Sequence, residues 1–563
     1  MPMKIIYTPN FKSHPKLPMI FGKGNFLSLI GNNWDDYNFK TTLNAQLIFD
    51  GKTLDFDFNL KLLIKSSNYT TETLNKLCAS GWDGCFPIPE TDYLSLPSDI
   101  DFYKTLVAKL GVIETKQVLD ILHDASLLSH SKDHPSYSLM HEDGFKLSLL
   151  RESGAHKAYL DGWLILKGEL SEVKNFTLFV KSRSGENKEI PFQFESSLLP
   201  YDINVLIGPN GIGKSHSLKT IVSGWLQSED KKADLFFDKR PNVGRLILIS
   251  YSPFEEFDLT LDNSNLLDKS AYKYFGFRYE KKEREDDDIS TIEIDRDLPA
   301  LDSSKSLISS IYDDQKTSFI IDKVKKLEAA ERVLKPALGY EYLALEISPK
   351  TATMALKNKI IRIDDRHYLK IDEEIPFLIT DFELIESCKL AEGVKFIKNN
   401  KVLQLSSGQR LFTYIVINVL GSIRENSLVV IDEPELFLHP TLEIEFISLL
   451  KAILKPFRSK AILATHSLAV VREVPSKCVH IFKETNGVLD IVPPPFETFG
   501  ASVQRISSYV FGDSSVTKPF DDWLSELVKK EPNIDALISS LGDEVNEQLI
   551  MKILKLGRLY HGS

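Results

Sequence analysis

An apolar run, Ile203-Asn204-Val205-Leu206-Ile207, leads directly into Gly208-Pro209-Asn210-Gly211-Ile212-Gly213-Lys214-Ser215, and a helically spaced set, Leu218, Ile221, Val222 and Trp225, follows. A strand, a glycine-rich loop and a helix in this order form a phosphate-binding loop in its proper setting. The glycines let backbone N–H groups turn inward around an anionic phosphate chain, Lys214 reaches toward the outer phosphates, and the Ser215 hydroxyl suits Mg²⁺. Asn210, Gly211, Ile212, Gly213, Lys214 and Ser215 are therefore candidate phosphate-binding residues, with Ser215 also a candidate metal ligand.

A chain of 563 residues exceeds the size at which one hydrophobic core stops growing, so several structural units are expected. Apolar residues at 43% and charged residues at 26% are ordinary for a soluble globular protein, and no run of about 18 apolar residues suggests a membrane span. The first residues, Met1 to Lys16, lack the apolar segment of a secretory signal, which makes the cytoplasm the expected compartment. Cys78, Cys85, Cys388 and Cys478 are dispersed and match no zinc spacing. A net charge of −11 argues against a surface given over to nucleic acid, while leaving room for a local basic groove. Lys451, Lys455, Arg458 and Lys460 cluster, and read as a solvated helix end.

Upstream of the loop, Leu47 to Phe58 places an Asp-Gly pair before alternating apolar residues, the sequence form of a hairpin. Phe102 to Leu122 has helical spacing. His123, His130, His134, His141 and His156 then crowd into a stretch whose Ser, Asp, Pro and Gly residues read as loop and whose spacings fit no zinc pattern. Strands are expected at Trp163 to Lys167, Phe176 to Lys181 and Ile190 to Phe194, the last two as an antiparallel edge, and again at Leu246 to Ser250. A polar insert follows, with an acidic stretch from Glu280 to Asp288 and a helix from about Phe319 to Leu334 that ends at Pro336. No sustained heptad pattern gives it a long coiled-coil arm.

Downstream, Leu405-Ser406-Ser407-Gly408-Gln409 opens a helical run through Leu411, Phe412, Ile415, Val416 and Val419, a second anion cradle or a simple serine cap. Leu428-Val429-Val430-Ile431 ends in Asp432-Glu433-Pro434, a buried-strand pattern that delivers two carboxylates at its carboxyl end. Asp432 suits a metal, and Glu433 can accept a proton from an attacking water. A third strand, Ala461 to Ala464, ends in Thr465-His466-Ser467, which presents His466 to the same region.

The shared order of these parts closely resembles the ATP-binding-cassette (ABC) type of P-loop ATPase, within the wider AAA grouping. The resemblance covers roughly residues 160–260 and 400–490. It implies an α/β fold: a P-loop NTPase head with a mixed sheet and flanking helices, an N-terminal α/β extension, a mid-chain helical insert and a C-terminal helical segment. The corresponding boundaries are 1–155 for the accessory region, 156–260 and 400–492 for the two parts of the head, 261–399 for a partly helical, acidic insert, and 493–563 for the C-terminal helices.

In that family two heads meet head to tail with ATP between the phosphate loop of one and the signature turn of the other. The resemblance thus implies ATP and Mg²⁺ as ligands, Ser407, Gly408 and Gln409 as contacts to a partner's ATP, Asp432 as metal organiser, Glu433 as catalytic base, His466 as γ-phosphate sensor, and a homodimer or larger assembly of dimers.

Two departures from the transporter pattern stand out. Ile249 to Phe254 contains no lid glutamine, and Glu435-Leu436-Phe437-Leu438-His439-Pro440 replaces the usual sequence after the carboxylate pair. The latter is similar to the soluble branch: recombination-type, chromosome-structuring (SMC) and overcoming-lysogenisation-defect-type ATPases, including prokaryotic antiphage ATPases. His439 suits either a helix start or an interface. The roughly 75 residues after position 490 hold no cluster of carboxylates, so a nuclease is expected on a separate chain. The functional expectation is a slow, regulatory ATPase whose ATP-dependent dimer controls a separate effector, a nuclease or toxin, in antiphage defence, with no membrane partner. The alternative is a DNA-repair or chromosome-associated ATPase that binds duplex DNA.

Overall fold

The computed structural model describes residues 3–9, 24–31, 39–50, 52–131, 133–151, 153–168, 173–182, 185–226, 236–252, 255–259, 271–282, 290–316, 325–348, 354–436, 438–485, 488–511, 519–531, 533–542 and 545–561. Two compact units divide the chain, Met1–Ala501 and Ser502–Ser563.

The larger unit begins with a five-stranded sheet in simple sequence order: β1 (Lys4–Thr8), β2 (Phe26–Gly31), β3 (Thr42–Phe49), β4 (Lys52–Ile64) and β5 (Tyr93–Pro97). Only the β1–β2 pair is parallel. The expected hairpin is present, with Phe49 facing Lys52 and Asp50 at φ 46, the left-handed conformation that tight hairpin turns demand. Helices α1 (Thr70–Ala79), α2 (Asp101–Leu110), α3 (Val112–Ile121), α4 (Ala125–Leu128) and α5 (Ser153–Lys167) complete this region.

Three local expectations need correction here. The helical stretch from Phe102 is two helices, because Gly111 at φ 79 breaks it. Trp163 to Lys167 is the last turn of α5 and not a strand; a short apolar run fits either period, and packing decides. Gly162 supplies that packing, since a Cβ there would lie 2.5 Å from Cζ of Tyr103 on α2. The histidine-rich stretch is folded into α4 and short turns at Pro135–His141 and Phe145–Leu149 instead of a loop. Its histidines pack on aromatic rings: His123 on Tyr93 and His130 on Trp163, each with centroids 4.2 Å apart. Among the described residues no group of three or more His, Cys, Asp or Glu side chains could hold a metal ion.

The head follows. β6 (Phe176–Lys181) and β7 (Asn187–Phe192) pair as their own two-stranded sheet, so they cover the core without extending the main sheet as an edge. Next come β8 (Ile203–Ile207), α6 (Lys214–Trp225), β9 (Arg245–Ser250) and β10 (Tyr272–Gly276). The insert supplies the hairpin β11 (Arg278–Lys282) and β12 (Ser290–Ile294), then α7 (Leu298–Lys316), α8 (Lys326–Leu338), β13 (Tyr342–Glu346), β14 (Ile360–Ile363), β15 (Arg366–Lys370), α9 (Ile375–Leu378), α10 (Asp381–Ser387), β16 (Lys395–Lys398) and β17 (Lys401–Val402). Expected to be partly helical, it also carries a five-stranded antiparallel sheet, β14-β15-β13-β16-β17. Helix α8 runs through Pro336 and closes at Gly339, φ 65, whose N–H bonds Lys335 O at 2.8 Å; residues 319–324 and 283–289, where the rest of the expected helix and acidic stretch fall, lie outside the described residues.

The chain returns to the head through α11 (Ser407–Ser422), β18 (Ser427–Asp432), α12 (Pro440–Leu454), β19 (Lys460–Thr465), α13 (Leu468–Val471), β20 (Val479–Thr485) and β21 (Val488–Val492). The main sheet has the order β10-β9-β18-β19-β8-β20-β21, parallel except for β21. Every residue of β8, β9 and β18 is buried, which explains their largely apolar sequences. The insert is seated on α11 through α7, where Gly421 lies so close to Ser306 that a Cβ would meet its Cβ and carbonyl oxygen at 2.6 Å. The accessory region grips the loop after α11: Asp99 pairs with Arg424 at 2.9 Å and Lys104 with Glu425 at 2.6 Å.

The smaller unit consists of α14 (Val503–Val510), α15 (Pro519–Lys530), α16 (Ile534–Leu541) and α17 (Glu547–His561). Leu524, Val528, Ile534, Leu537 and Ile553 form its core. Helices near Asp521 to Lys530 and Asn546 to Leu559 match expectation, and α16 between them had not been anticipated. Among the described residues no helix is long and apolar enough to cross a membrane.

Candidate nucleotide site

The site is assembled at the carboxyl ends of β8, β18 and β19, three adjacent parallel strands. Gly208 ends β8 where a Cβ would come within 2.5 Å of Phe482 O on β20, so no side chain fits. Gly211 at φ 72 and Gly213 at φ 113 then take left-handed conformations that turn the loop over the start of α6. Gly213 stands at the helix N-cap and has no side chain with which to cap it. The amides of the first turn are therefore free of a side-chain acceptor, the arrangement that binds phosphate.

Lys214 lies beneath this loop, 5% exposed. Its ammonium donates to Gly208 O at 3.0 Å and Pro209 O at 3.1 Å, and stands 2.7 Å from His466 Nε2. Burial pulls its pKa down to about 8, against the opposing influence of Glu433, Asp432 and Glu435. His466 is held down to about 4 by burial and then by the Lys214 charge.

Ser215 donates its hydroxyl to Asp432 Oδ1 at 3.0 Å, joining the phosphate loop to the end of β18. Burial pushes the Asp432 carboxyl up to about 7, and Glu433 adds to the shift. Beside Asp432 in the β9–β18 register stands Ser250, wholly buried, whose hydroxyl has no hydrogen-bond partner. A buried carboxyl, a hydroxyl bonded to it and a second orphaned hydroxyl supply oxygen donors of the kind that fit Mg²⁺.

Glu433 is held at φ 48, a conformation uncommon outside glycine, by its N–H bond to Ala464 O at 2.8 Å. That places its Oε1 3.7 Å from His466 Nε2. Two further carboxylates fix the His466 loop: Glu435 accepts from the His466 backbone N–H, and Glu443 from the Ser467 hydroxyl, which also caps α13 through Val470 N. The sequence reading assigned neither a role. Their only signal was acidic spacing after a buried strand. His439 opens α12 with its carbonyl, which accepts from Leu442 N at 2.7 Å.

The signature turn is placed differently. Ser406 caps α11 in a reciprocal box, accepting from Gln409 N at 3.2 Å while its own N–H donates to Gln409 Oε1 at 3.0 Å. Ser407 is exposed and Gly408 buried at the helix start. Among the described residues no hydrogen bond or ion pair joins Ser407, Gly408 or Gln409 to the phosphate loop, whereas Lys214, Ser215, Asp432, Glu433 and His466 are brought together. A cleft lined by Tyr251, Leu411, Ile415, Asp432 and Glu433 lies between the carboxylate turn and α11. Of the clustered basic residues, Lys451 is engaged with Glu473 O, Arg458 with Glu425 and Lys460 with Asp202, while Lys455 is exposed.

Residues 203–472 match the model of a family described as "AAA domain, putative AbiEii toxin, Type IV TA system". Over this segment the chain is similar to that family's AAA domain. Along almost its whole length the chain is also similar to protein ea59 of Escherichia phage lambda, 23% identical over 536 residues, covering 92% of each. Among solved structures, a nucleotide-free ATP-binding cassette from an ABC transporter aligns at 14% identity and TM-score 0.26, covering 62% of this chain and 96% of the cassette. The SMC head domain from Thermotoga maritima aligns at 14% identity and TM-score 0.26, covering 58% and 100%.

Proposed function

We propose that the chain is a slow, regulatory cytoplasmic ATPase whose ATP-dependent head-to-tail dimer controls a separate effector, a nuclease or toxin, in defence against phage. The observation that carries this reading is the division of the site. The phosphate loop, Asp432, Glu433 and His466 are joined in one cluster, while among the described residues no hydrogen bond or ion pair ties the exposed Ser407 turn to them. A second protomer would bring its Ser407, Gly408 and Gln409 to the ATP held here. A family model described with a toxin–antitoxin system and a relative borne by a phage support a role in conflict between phage and host.

In this reading Asn210 to Ser215 bind the phosphates through the uncapped amides of α6, and Ser215 and Asp432 hold Mg²⁺. The metal would neutralise phosphate charge as it develops in the transition state. Glu433 accepts the proton of the attacking water, and neutral His466 presents a nitrogen to the γ-phosphate region after Lys214 turns from it to the phosphates. Association is thereby made conditional on ATP, and hydrolysis releases it.

Sedimentation of Glu433→Gln with ATP and Mg²⁺ tests the proposal. A dimer that forms with ATP, fails to form with ADP and is lost on Ser407→Arg is expected. A monomer under all conditions overturns it. Duplex DNA that stimulates turnover and binds with steep salt dependence would replace effector control with the DNA-associated alternative.

A further inference from the structure

Ser250 ends β9 inside the main sheet, held by two ladders: its register partner is Asp432 on β18 on one side and Gly276 on β10 on the other. Side chains alternate across a strand, so residues two apart share a face. Leu246 and Leu248 on β9, and Leu428 and Val430 on β18, belong to the core cluster that includes Leu218 and Ile221 of α6. The same alternation carries Ser250 and Asp432 onto that face, where the start of α6 brings the Ser215 hydroxyl to Asp432 Oδ1.

The Ser250 residue is wholly buried, yet among the described residues its hydroxyl has no hydrogen-bond partner. Such a group is costly to a fold unless something supplies the missing bond. Gly276 offers no side chain, and Tyr274, which lies close beside Gly276, donates its hydroxyl to Glu255 Oε1 at 2.5 Å. Tyr251, the next residue, belongs to the opposite face: with Ile249 and Ile431 it lines the cleft against α11, and its hydroxyl accepts from Asn418 Nδ2 at 3.4 Å. In the sheet, β9 lies on one side of β18 and β8 on the other. Ser250 and the phosphate loop thus approach Asp432 from opposite sides.

We infer that Ser250 Oγ is a further protein ligand of the divalent cation, joining Ser215 and Asp432. The inference rests on the proposed reading that those two residues hold Mg²⁺. A hydroxyl oxygen is a hard donor suited to that ion, which still keeps positions for phosphate and water. The segment Ile249 to Phe254, which contains no lid glutamine, thereby carries a metal donor of its own within the strand. Two ladders fix its backbone, so the donor is in place before nucleotide arrives.

The test is calorimetric titration of the full chain with ATP, in Mg²⁺ and in chelator, with Glu433→Gln introduced throughout to prevent hydrolysis. Mg²⁺ should tighten ATP binding in this parent. Ser250→Ala should remove about tenfold or more of that tightening and leave the affinity in chelator unchanged. Without metal or nucleotide, Ser250→Ala should be as resistant to denaturant as the parent or more so, because it removes an unpaired buried hydroxyl. Ser250→Cys should bind ATP weakly with Mg²⁺ and tightly with Cd²⁺, and it alone should gain cadmium–thiolate absorption when ATP is added. Three outcomes overturn the inference and leave Ser215 and Asp432 as ligands: equal Mg²⁺ enhancement in the parent and Ser250→Ala, a loss of metal-free stability in Ser250→Ala, or no preference for Cd²⁺ in Ser250→Cys. A parent whose ATP affinity is indifferent to Mg²⁺ overturns the metal reading itself, and this inference with it.

Discussion

The ammonium of Lys214 lies 2.7 Å from Nε2 of His466. An ammonium has donors only, so Nε2 is the acceptor, and His466 is neutral with its proton on Nδ1. With Gly208 O and Pro209 O, the imidazole satisfies all three donors of the lysine. In the proposed function, phosphate would displace this set and free the imidazole for the reacting end of the nucleotide.

Lys214→Ala should abolish ATP binding in a calorimetric titration, since the loop loses its only buried cation. The same substitution should raise the pKa of His466 from about 4, because the lysine charge is one of its two causes. Burial is the larger cause, so the value should stay below that of a free imidazole. A histidine titration by nuclear magnetic resonance checks both; an unmoved His466 would show the two groups uncoupled.

Glu433→Gln keeps the shape and backbone conformation of the residue and removes its basicity. Turnover should fall by about a hundredfold or more, the usual contribution of a positioned general base, with ATP affinity retained. Single-turnover hydrolysis at the wild-type rate would remove Glu433 from that role.

Glu435 reaches the site through His466, whose backbone N–H it accepts. Glu435→Ala leaves that donor unsatisfied and the loop free to shift, and a shift of about 1 Å in a catalytic group can cost on the order of a hundredfold in rate. The expected outcome is a lower kcat with an unchanged dissociation constant for ATP. An equal loss in both would make Glu435 a general support of the fold.

What could be read from the chain was local. The phosphate loop, the strand ending in Asp432-Glu433 and the Leu47–Phe58 hairpin are each written within a dozen or so consecutive residues, in glycine placement or apolar spacing. What could not be read depends on partners distant in sequence. Glu435 and His466 are 31 residues apart and Glu443 and Ser467 24, and they meet only because β18 and β19 lie side by side. Trp163 to Lys167 fits both a strand and a helix until Gly162 settles on Tyr103. The sheet in the insert went unseen because its strands are short and no alternating pattern spans them.

Gly421 should tolerate no side chain. Its Cβ would sit 2.6 Å from Ser306 Cβ and oxygen, between two packed helices with no flexible tip to yield. Gly421→Ala should cost about 1–3 kcal/mol in chemical denaturation, the range for overpacking a filled core. Gly244→Ala is the matched control: its nearest neighbour would be 4.0 Å away, and its effect should be within about 0.5 kcal/mol.

His480 supplies a pH dependence outside the candidate site. It lies buried on β20, and its Nε2 is 3.2 Å from Oδ1 of Asn204 on β8, the strand that carries the phosphate loop. Asn204 Oδ1 can only accept, so the neutral imidazole carries its proton on Nε2. Burial depresses its pKa to about 3. The folded state thus resists a proton that the unfolded chain accepts at ordinary imidazole pH, about 6.5. Its contribution to stability is complete above about pH 6.5 and is lost as pH falls toward about 3, with a slope of up to about 1.4 kcal/mol per pH unit. His480→Gln retains a donor for Asn204 and removes the titration. Denaturation of the larger unit between pH 6.5 and pH 4 should therefore show a shallower loss of stability for the variant than for the wild type; parallel curves would mean that His480 takes up its proton in the folded state.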